Sequence, residues 1–568
     1  MLGKRSTQPG LFDADTMYLD FVGRDSFYGF LATQRSRLFR DQDFGEMYCK
    51  NNGRDSVPPS LLADALLLQA HDRVSDEEAV ARADYDMRWK VALGIPLDEH
   101  PFAKSTLQLF RAQLILHDKA RQVFTKSLDF ARETGYLKSR KIKAVLDTTF
   151  ILGAGAVKDT YNLLADGIVK LGRVLAGLAG REPAAWAADN GLARYFAPSI
   201  KGTAEINWDD KAERQTFLQA IVADADRLLA EAQATLAQYA EGVPEKHEIR
   251  EAADLLAQLL LQDIDRTAAG ATLKEGTSPD RLVSVHDPEM RHGHKSASVR
   301  FEGHKAAVAI DPESQLITAA AVLPGNAHDS KQALDLVKQS EENTHAAVTE
   351  TIGDCAYGTG PMRQAFADDG RTLIAPVPAA PQRETFAKDA FVIDVQAMTC
   401  RCPAGQVTSV LVPAGSYTYQ SGECVALRAF QFPSALCTAC PLRPQCVTTR
   451  YGGRRIHLHP QEALLQAARA FQKSDASAPY RKLRQAVEHR LARLVQLGVR
   501  QARYVGRIKT LFQLLLAATV ANLTLVATKT GLMRGRKGQQ DPVFSHLLSV
   551  LAVLMRLTRS PAILQTAT

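Results

Sequence analysis

Apolar positions along the chain fall into helical and strand-like blocks. From residue 1 to about 135 they recur at helical spacing. In that block the loop GRDSVPPS (Gly53 to Ser60) feeds an apolar helix, LLADALLLQA. A second helix opens at Ser75, where SDEE supplies a capping box with Ser75 as cap and Glu78 three residues on. Helix, short connection and helix resemble a helix-turn-helix. Asp76, Glu77, Glu78, Asp84 and Asp86 crowd the second helix, and acids repel phosphates, so packing is the better reading of that element. DNA contacts in this block would come instead from Arg35 to Arg40 or from Lys104 to Arg111.

At Lys141 the pattern becomes strand-like, and KIKAVLDTTF places a short apolar run directly before Asp147. From about Thr160 the chain turns Ala- and Leu-rich with helical spacing and many acids, as in ADADRLLAEAQATLAQYA, which predicts a helical insertion without chemistry of its own. Strands return at Gly303 to Ile310 and Gln315 to Val322. The residues between them, Asp311-Pro312-Glu313-Ser314, suit a tight turn, so the pair reads as a hairpin. Another strand, Ala346 to Asp354, ends at Gly353-Asp354; Pro361 marks a helix start, and a short strand follows at Thr372 to Pro376. A single helix from about Tyr480 to Leu497 carries Leu483, Val487, Leu491, Leu494 and Val495 as its apolar stripe, stops at Gly498 and holds Glu488 at the stripe's margin. This order predicts an α/β fold, a mixed sheet flanked by helices.

Length and charge refine the picture. At 568 residues the chain exceeds one hydrophobic core, so three or four packed units are expected. The N-terminus, MLGKRSTQPGLFDADTMYLDF, has no apolar stretch of signal-peptide length, which predicts a cytoplasmic protein. Two apolar stretches, Leu511 to Thr528 and Val543 to Leu557, are interrupted by Gln513, Asn522 and Thr524 and by Ser545, His546, Ser549 and Arg556. They read as buried helices, with no membrane as partner. Of the net charge of +7, the segment Arg481 to Ser560 holds a local excess of 13, from 15 Lys/Arg against Glu488 and Asp541. Such a surface attracts polyanions, although a merely solubilising face has the same composition.

Phosphodiester chemistry needs an activated nucleophile and a stabilised leaving oxygen, and divalent ions held by a few carboxylates supply both. Taken singly, an Asp at a strand end is more often a cap or turn former, and Asp311 and Asp329 are read that way, as turn and as loop or helix-cap residues. Six of the eight cysteines lie between Cys400 and Cys446. Cys437-x2-Cys440 has the spacing of a zinc-ligand pair, and Cys402 with Cys446, or Cys400, would complete a tetrahedral structural site in a zinc-ribbon-like insert. Cys355 adjoins Asp354 but has no paired His at recognisable spacing.

Several long blocks occur together in one order: VLDTT around Asp147, DPEMRHGHKSASVRFEGHKAAVAID, PGNAHDS, IGDCAYG around Asp354, YRKLRQAVEHRLARL around Glu488, and RQARYVGRIKTLFQLLLAATVANL. With these the chain resembles bacterial insertion-sequence transposases of the DDE class, in the group related to insertion sequence eleven-eighty-two. The resemblance implies an RNase H-like core in which Asp147, Asp354 and Glu488 bind catalytic Mg²⁺, with Mn²⁺ as a substitute. It further implies that Tyr480 and Arg484 accompany the glutamate. The position seven residues after Glu488 is Val495, so the accompanying basic role is vacant or passes to Arg493, Arg503 or Lys509. His304 and Lys305, at the start of a hairpin strand, could contact DNA phosphate or could be plain surface. The implied partners are the element's ends and target DNA, held by a homodimer or larger assembly associated with the bacterial nucleoid. The implied division is a DNA-binding helical domain over 1–135, a catalytic core over 136–380 and 460–530, a helical insertion over 160–275, a Cys-rich insert over 381–459 and a helical tail over 531–568. A nuclease that cuts without joining, and an inactive DNA-binding descendant, are the alternatives. The intact acidic set argues against the second.

Overall fold

The computed structural model describes residues 1–6, 13–50, 53–296, 298–378, 385–419, 424–448 and 452–533. The expected helix over Val543 to Leu557 lies outside the described residues. The chain divides into two compact units. Among the described residues, one comprises those within Met1–Leu68, Asp76–Leu107 and 523–533; the other comprises those within Gln69–Ser75 and Gln108–Asn522.

Within the first unit, helices Ala14–Val22, Phe27–Leu38 and Met87–Leu93 close on one another through Ala14, Ala32 and Val91. Ser26 opens the second of them by accepting the Gly29 N–H at 3.1 Å. The acids of Asp76–Tyr85 are partly neutralised in place, Glu77 by Lys104 and Glu78 by Arg82. Of the basic segments expected to face DNA, Arg35 is tied to Asp15 at 2.5 Å, and Lys104 is the partner of Glu77.

The second unit is built on a six-stranded mixed sheet. Its strands are β1 (Lys141–Leu152), β2 (Arg291–His294), β3 (Arg300–Ile310), β4 (Ile317–Pro324), β5 (Ala347–Ile352) and β6 (Leu373–Ile374). β1 is central, antiparallel to β3 and parallel to β5; β6 extends the sheet beside β5, while β4 and β2 pair with successive halves of β3. Asp311 makes the β3–β4 turn, its Oδ2 accepting the Ser314 N–H at 2.9 Å and hydroxyl at 2.6 Å. Gly303 is required where β1 and β3 approach: with φ +152°, a Cβ there would lie 2.1 Å from the Ile151 carbonyl oxygen. One face of the sheet is paved with small residues, Ala144, Ala307, Ala309, Ala319 and Ala321. Against them pack Leu336 and Val337 of α1 (Ala333–Thr344) and Phe366 of α2 (Gly360–Asp368).

Between β1 and β2 the chain leaves the sheet as helices Thr160–Leu178, Lys211–Leu236 and Pro244–Asp263, joined through Leu164, Ile168, Leu171, Leu228 and Leu256. Between α2 and α3 (Glu462–Lys473) lies the cysteine-rich segment, two small three-stranded sheets around Phe391, Ile393, Cys400, Phe430 and Ile456. The single helix expected from Tyr480 to Leu497 is two, α4 (Ala478–Leu483) and α5 (Gln485–Gln496). The chain tightens at the joint, where the Val487 N–H bonds to the Arg484 carbonyl three residues back instead of four. Gly498, at φ +89°, ends α5. Arg507–Lys529 forms α6, long and apolar enough to cross a membrane but mostly buried in the protein.

Candidate active site

The parallel pairing of β1 with β5 sets the geometry. Val145 stands opposite Ile352, so Asp147 and Asp354 each lie two residues beyond the same rung, on strands about 4.8 Å apart. Asp147 is inside β1, facing Val308 of β3, and its Oδ1 accepts the Thr148 N–H at 2.7 Å. Asp354 follows the end of β5 and caps the tight turn Cys355–Tyr357, its Oδ1 accepting the Ala356 N–H at 2.8 Å. Burial pushes the Asp147 carboxyl up to about 6. The Thr148 N–H opposes this, the negative charge of Asp354 adds to it, and Arg484 and Asp329 act in opposite directions with smaller effect.

Asp329 is the smallest of these influences and lies in a loop. It lies between β4 and α1, where the Lys305 ammonium donates to its Oδ1 and to the Ala327 carbonyl, both at 2.8 Å. Asp354 and Asp329 thus both act on Asp147, although among the described residues no three His, Cys, Asp or Glu side chains are gathered as a formed metal site. Glu488 is exposed on the first turn of α5. Arg484, four residues earlier and at the α4–α5 joint, is a cation whose field reaches Asp147.

The other expected residues separate. Tyr480 donates its hydroxyl to Glu350 Oε1 at 2.8 Å, and Lys143 bonds the same carboxylate at 2.8 Å with its ammonium 5.4 Å from the tyrosine ring centre. Strand alternation puts Lys143 on the same face of β1 as Asp147, so this cluster pins α4 where the next turn delivers Arg484 towards the acids. Arg493 bonds Gln496, Arg503 donates to the Val74 carbonyl at 2.7 Å, and Lys509 is exposed at the start of α6. His304 is fully buried with its Nε2 3.5 Å from Asp287 Oδ2, which also takes the Gly506 N–H at 3.2 Å. A surface contact with DNA phosphate is closed to it in this arrangement. Arg500, absent from the sequence-based set, fastens the end of β1 by donating to the Phe150 carbonyl at 2.7 Å and lying 3.7 Å from the Phe150 ring centre. Beside the acids a groove of about 540 Å³ is lined by Gly353, Ile374, Phe471, Tyr480, Arg481 and Arg484, among others.

In the cysteine-rich segment Cys402, Cys437, Cys440 and Cys446 line a single small cavity of about 30 Å³, and the Arg454 backbone N–H points at Cys437 Sγ at 3.5 Å. Burial raises the Cys446 thiol; Arg454 opposes, and the other three thiols add to the rise. Cys400, the alternative fourth member, is fully buried in the segment's core, its thiol pushed up to about 11 by burial.

A mixed α/β unit that sets Asp147, inside one strand, beside Asp354, past the end of its neighbour, next to a groove carrying Arg481 and Arg484 is a setting for nucleic-acid processing. Residues 401–527 match the family model described as a transposase DDE domain, and residues 20–113 one described as a transposase domain, DUF772. These two matches support a DDE-type transposase, a family that generally uses divalent metal ions. The first spans the cysteine-rich segment and Glu488, while Asp147 and Asp354 fall outside both. No curated protein and no solved structure matches the chain.

Proposed function

We propose that this protein is a DDE transposase of the group related to insertion sequence eleven-eighty-two, with an RNase H-like core formed by β1 and β3 to β6. It binds the ends of its element, hydrolyses a phosphodiester to free a 3′-hydroxyl and joins that hydroxyl to target DNA, expelling the target's own 3′-oxygen. The observation that carries the reading is the register of Asp147 beside Asp354, both half-buried and both held by backbone N–H groups. Two carboxylates kept together against their repulsion are a fit site for a divalent cation, which typically takes only one or two from the protein.

In this reading Asp147 and Asp354 hold Mg²⁺, or Mn²⁺ in its place, and Glu488 joins them from the first turn of α5. When bound, such ions activate the attacking oxygen and stabilise the leaving one. Arg484 orients the phosphate, and the groove lined by Arg481 and Arg484 takes the DNA strand leading away from it. The thiols of Cys402, Cys437, Cys440 and Cys446 surround a space suited to a structural Zn²⁺, whose four-thiolate shell would leave no position for catalytic water. Because two element ends must be held at once, the working form is a homodimer or larger assembly on DNA.

A labelled duplex carrying the inverted repeat that flanks the gene tests this. In Mg²⁺ the expected products are a nicked end followed by a slower, larger strand-transfer product. Nicking without any joined product would mark a nuclease, and neither product would sink the reading.

A further inference from the structure

The Tyr357 side chain is 1% exposed, and its hydroxyl has no hydrogen-bond partner. A buried hydroxyl without a partner is a cost that folded proteins seldom carry without a use. The local chain is arranged to put it there. Asp354 caps the turn that contains it, and the Tyr357 N–H bonds the Asp354 carbonyl at 3.2 Å. Gly353 makes room for the ring, since a Cβ there would approach it to 2.8 Å. At Gly358, a Cβ would lie 1.8 Å from the Pro376 carbonyl oxygen, so the chain after the tyrosine is fixed too.

The negative charges of Asp147, Asp329 and Asp354 all act on this hydroxyl, raising it well above the usual phenol range after burial has done the larger part. A phenol hydroxyl can both donate and accept. None of the three carboxylates accepts from it. An orphaned hydroxyl suits an oxygen of a hydrated cation, and hydrated Mg²⁺ carries such oxygens because it keeps several of its waters.

We propose that Tyr357 is a positioning residue whose hydroxyl holds a water of a hydrated divalent cation seated at Asp147 and Asp354. The proposal rests on the metal-dependent reading above and adds to it Tyr357 as an outer support.

Mn²⁺ binding to the intact chain without DNA, followed by electron paramagnetic resonance, separates the two. Tyr357→Phe should melt at the same temperature as the parent or higher, since it removes an unpartnered buried group. It should bind Mn²⁺ about three- to tenfold more weakly. Hexaamminecobalt(III), which offers only outer-sphere contacts, should displace Mn²⁺ from the parent more readily than from the variant. Unchanged Mn²⁺ affinity, or a lowered melting temperature exposing a structural bond, would overturn the role of Tyr357. If Asp354→Ala weakens Mn²⁺ binding while Tyr357→Phe does not, the tyrosine proposal alone fails. If neither does, the metal reading fails with it.

Discussion

Asparagine in place of Asp147 is expected to lower DNA cleavage about a thousandfold while raising the melting temperature at pH 7. The two effects share one cause. The carboxyl is half-buried and repelled by Asp354, so its charge is costly in the folded chain and is retained for chemistry. Asparagine keeps the Thr148 N–H bond through its own oxygen and removes the charge. The pH dependence follows from the direction of the shift. The folded group titrates at about 6 and the unfolded one near ~3.9, so on acidification the native chain takes up a proton before the unfolded chain does. Stability of the parent therefore rises as pH falls from above 6 towards ~4, and the advantage of asparagine, full above pH 6, disappears over that window. Melting curves in chelator across this range, paired with a cleavage assay at pH 7, check it. An active variant, or one less stable than the parent at pH 7, would contradict the assignment.

Leucine at Asn522 is expected to destabilise the second unit by about 3 kcal/mol, although it makes α6 more uniformly apolar. Asn522 is fully buried, and its side chain completes a strand end: Oδ1 accepts the Ile317 N–H and Nδ2 donates to the Ile317 carbonyl, each at 2.9 Å. Nδ2 also donates to Ser127 Oγ at 3.3 Å. Ile317 begins β4 at the point where its register with β3 slips, so the sheet does not satisfy these groups itself. Leucine would leave both unpaired in the interior, at about 1–3 kcal/mol each, partly offset by the apolar gain. Urea unfolding measures the difference, and a neutral or stabilising result would mean that α6 does not depend on this contact.

The same asparagine shows what can be read from a linear chain. A polar residue interrupting an apolar run signals burial in protein rather than lipid, and α6 is mostly buried. The β3–β4 hairpin is legible because Asp311 and Ser314 act within four residues. Strand β2 escapes detection because RHGH has no apolar alternation. The break at Arg484 does too, since the apolar stripe runs through it unchanged. Asp147 and Asp354 stand out by position after apolar runs, whereas Asp329 acts on Asp147 only when the hairpin and Lys305 place its loop beside β1. His304 looked like surface because its partner Asp287 lies in an irregular segment with no pattern of its own. Tyr357 resembles any aromatic core residue until its hydroxyl is found without a partner.

Whether the acids share a cation can be asked of the protein itself. Iron(II) bound in place of Mg²⁺ generates hydroxyl radicals with ascorbate and cuts the nearest backbone. The predicted cuts fall beside Asp147 and Asp354, with a further one near Glu488, all suppressed by excess Mg²⁺ and missing from Asp147→Asn. Cuts confined to other segments, or unchanged in that variant, would mean that no ion is held between these strands.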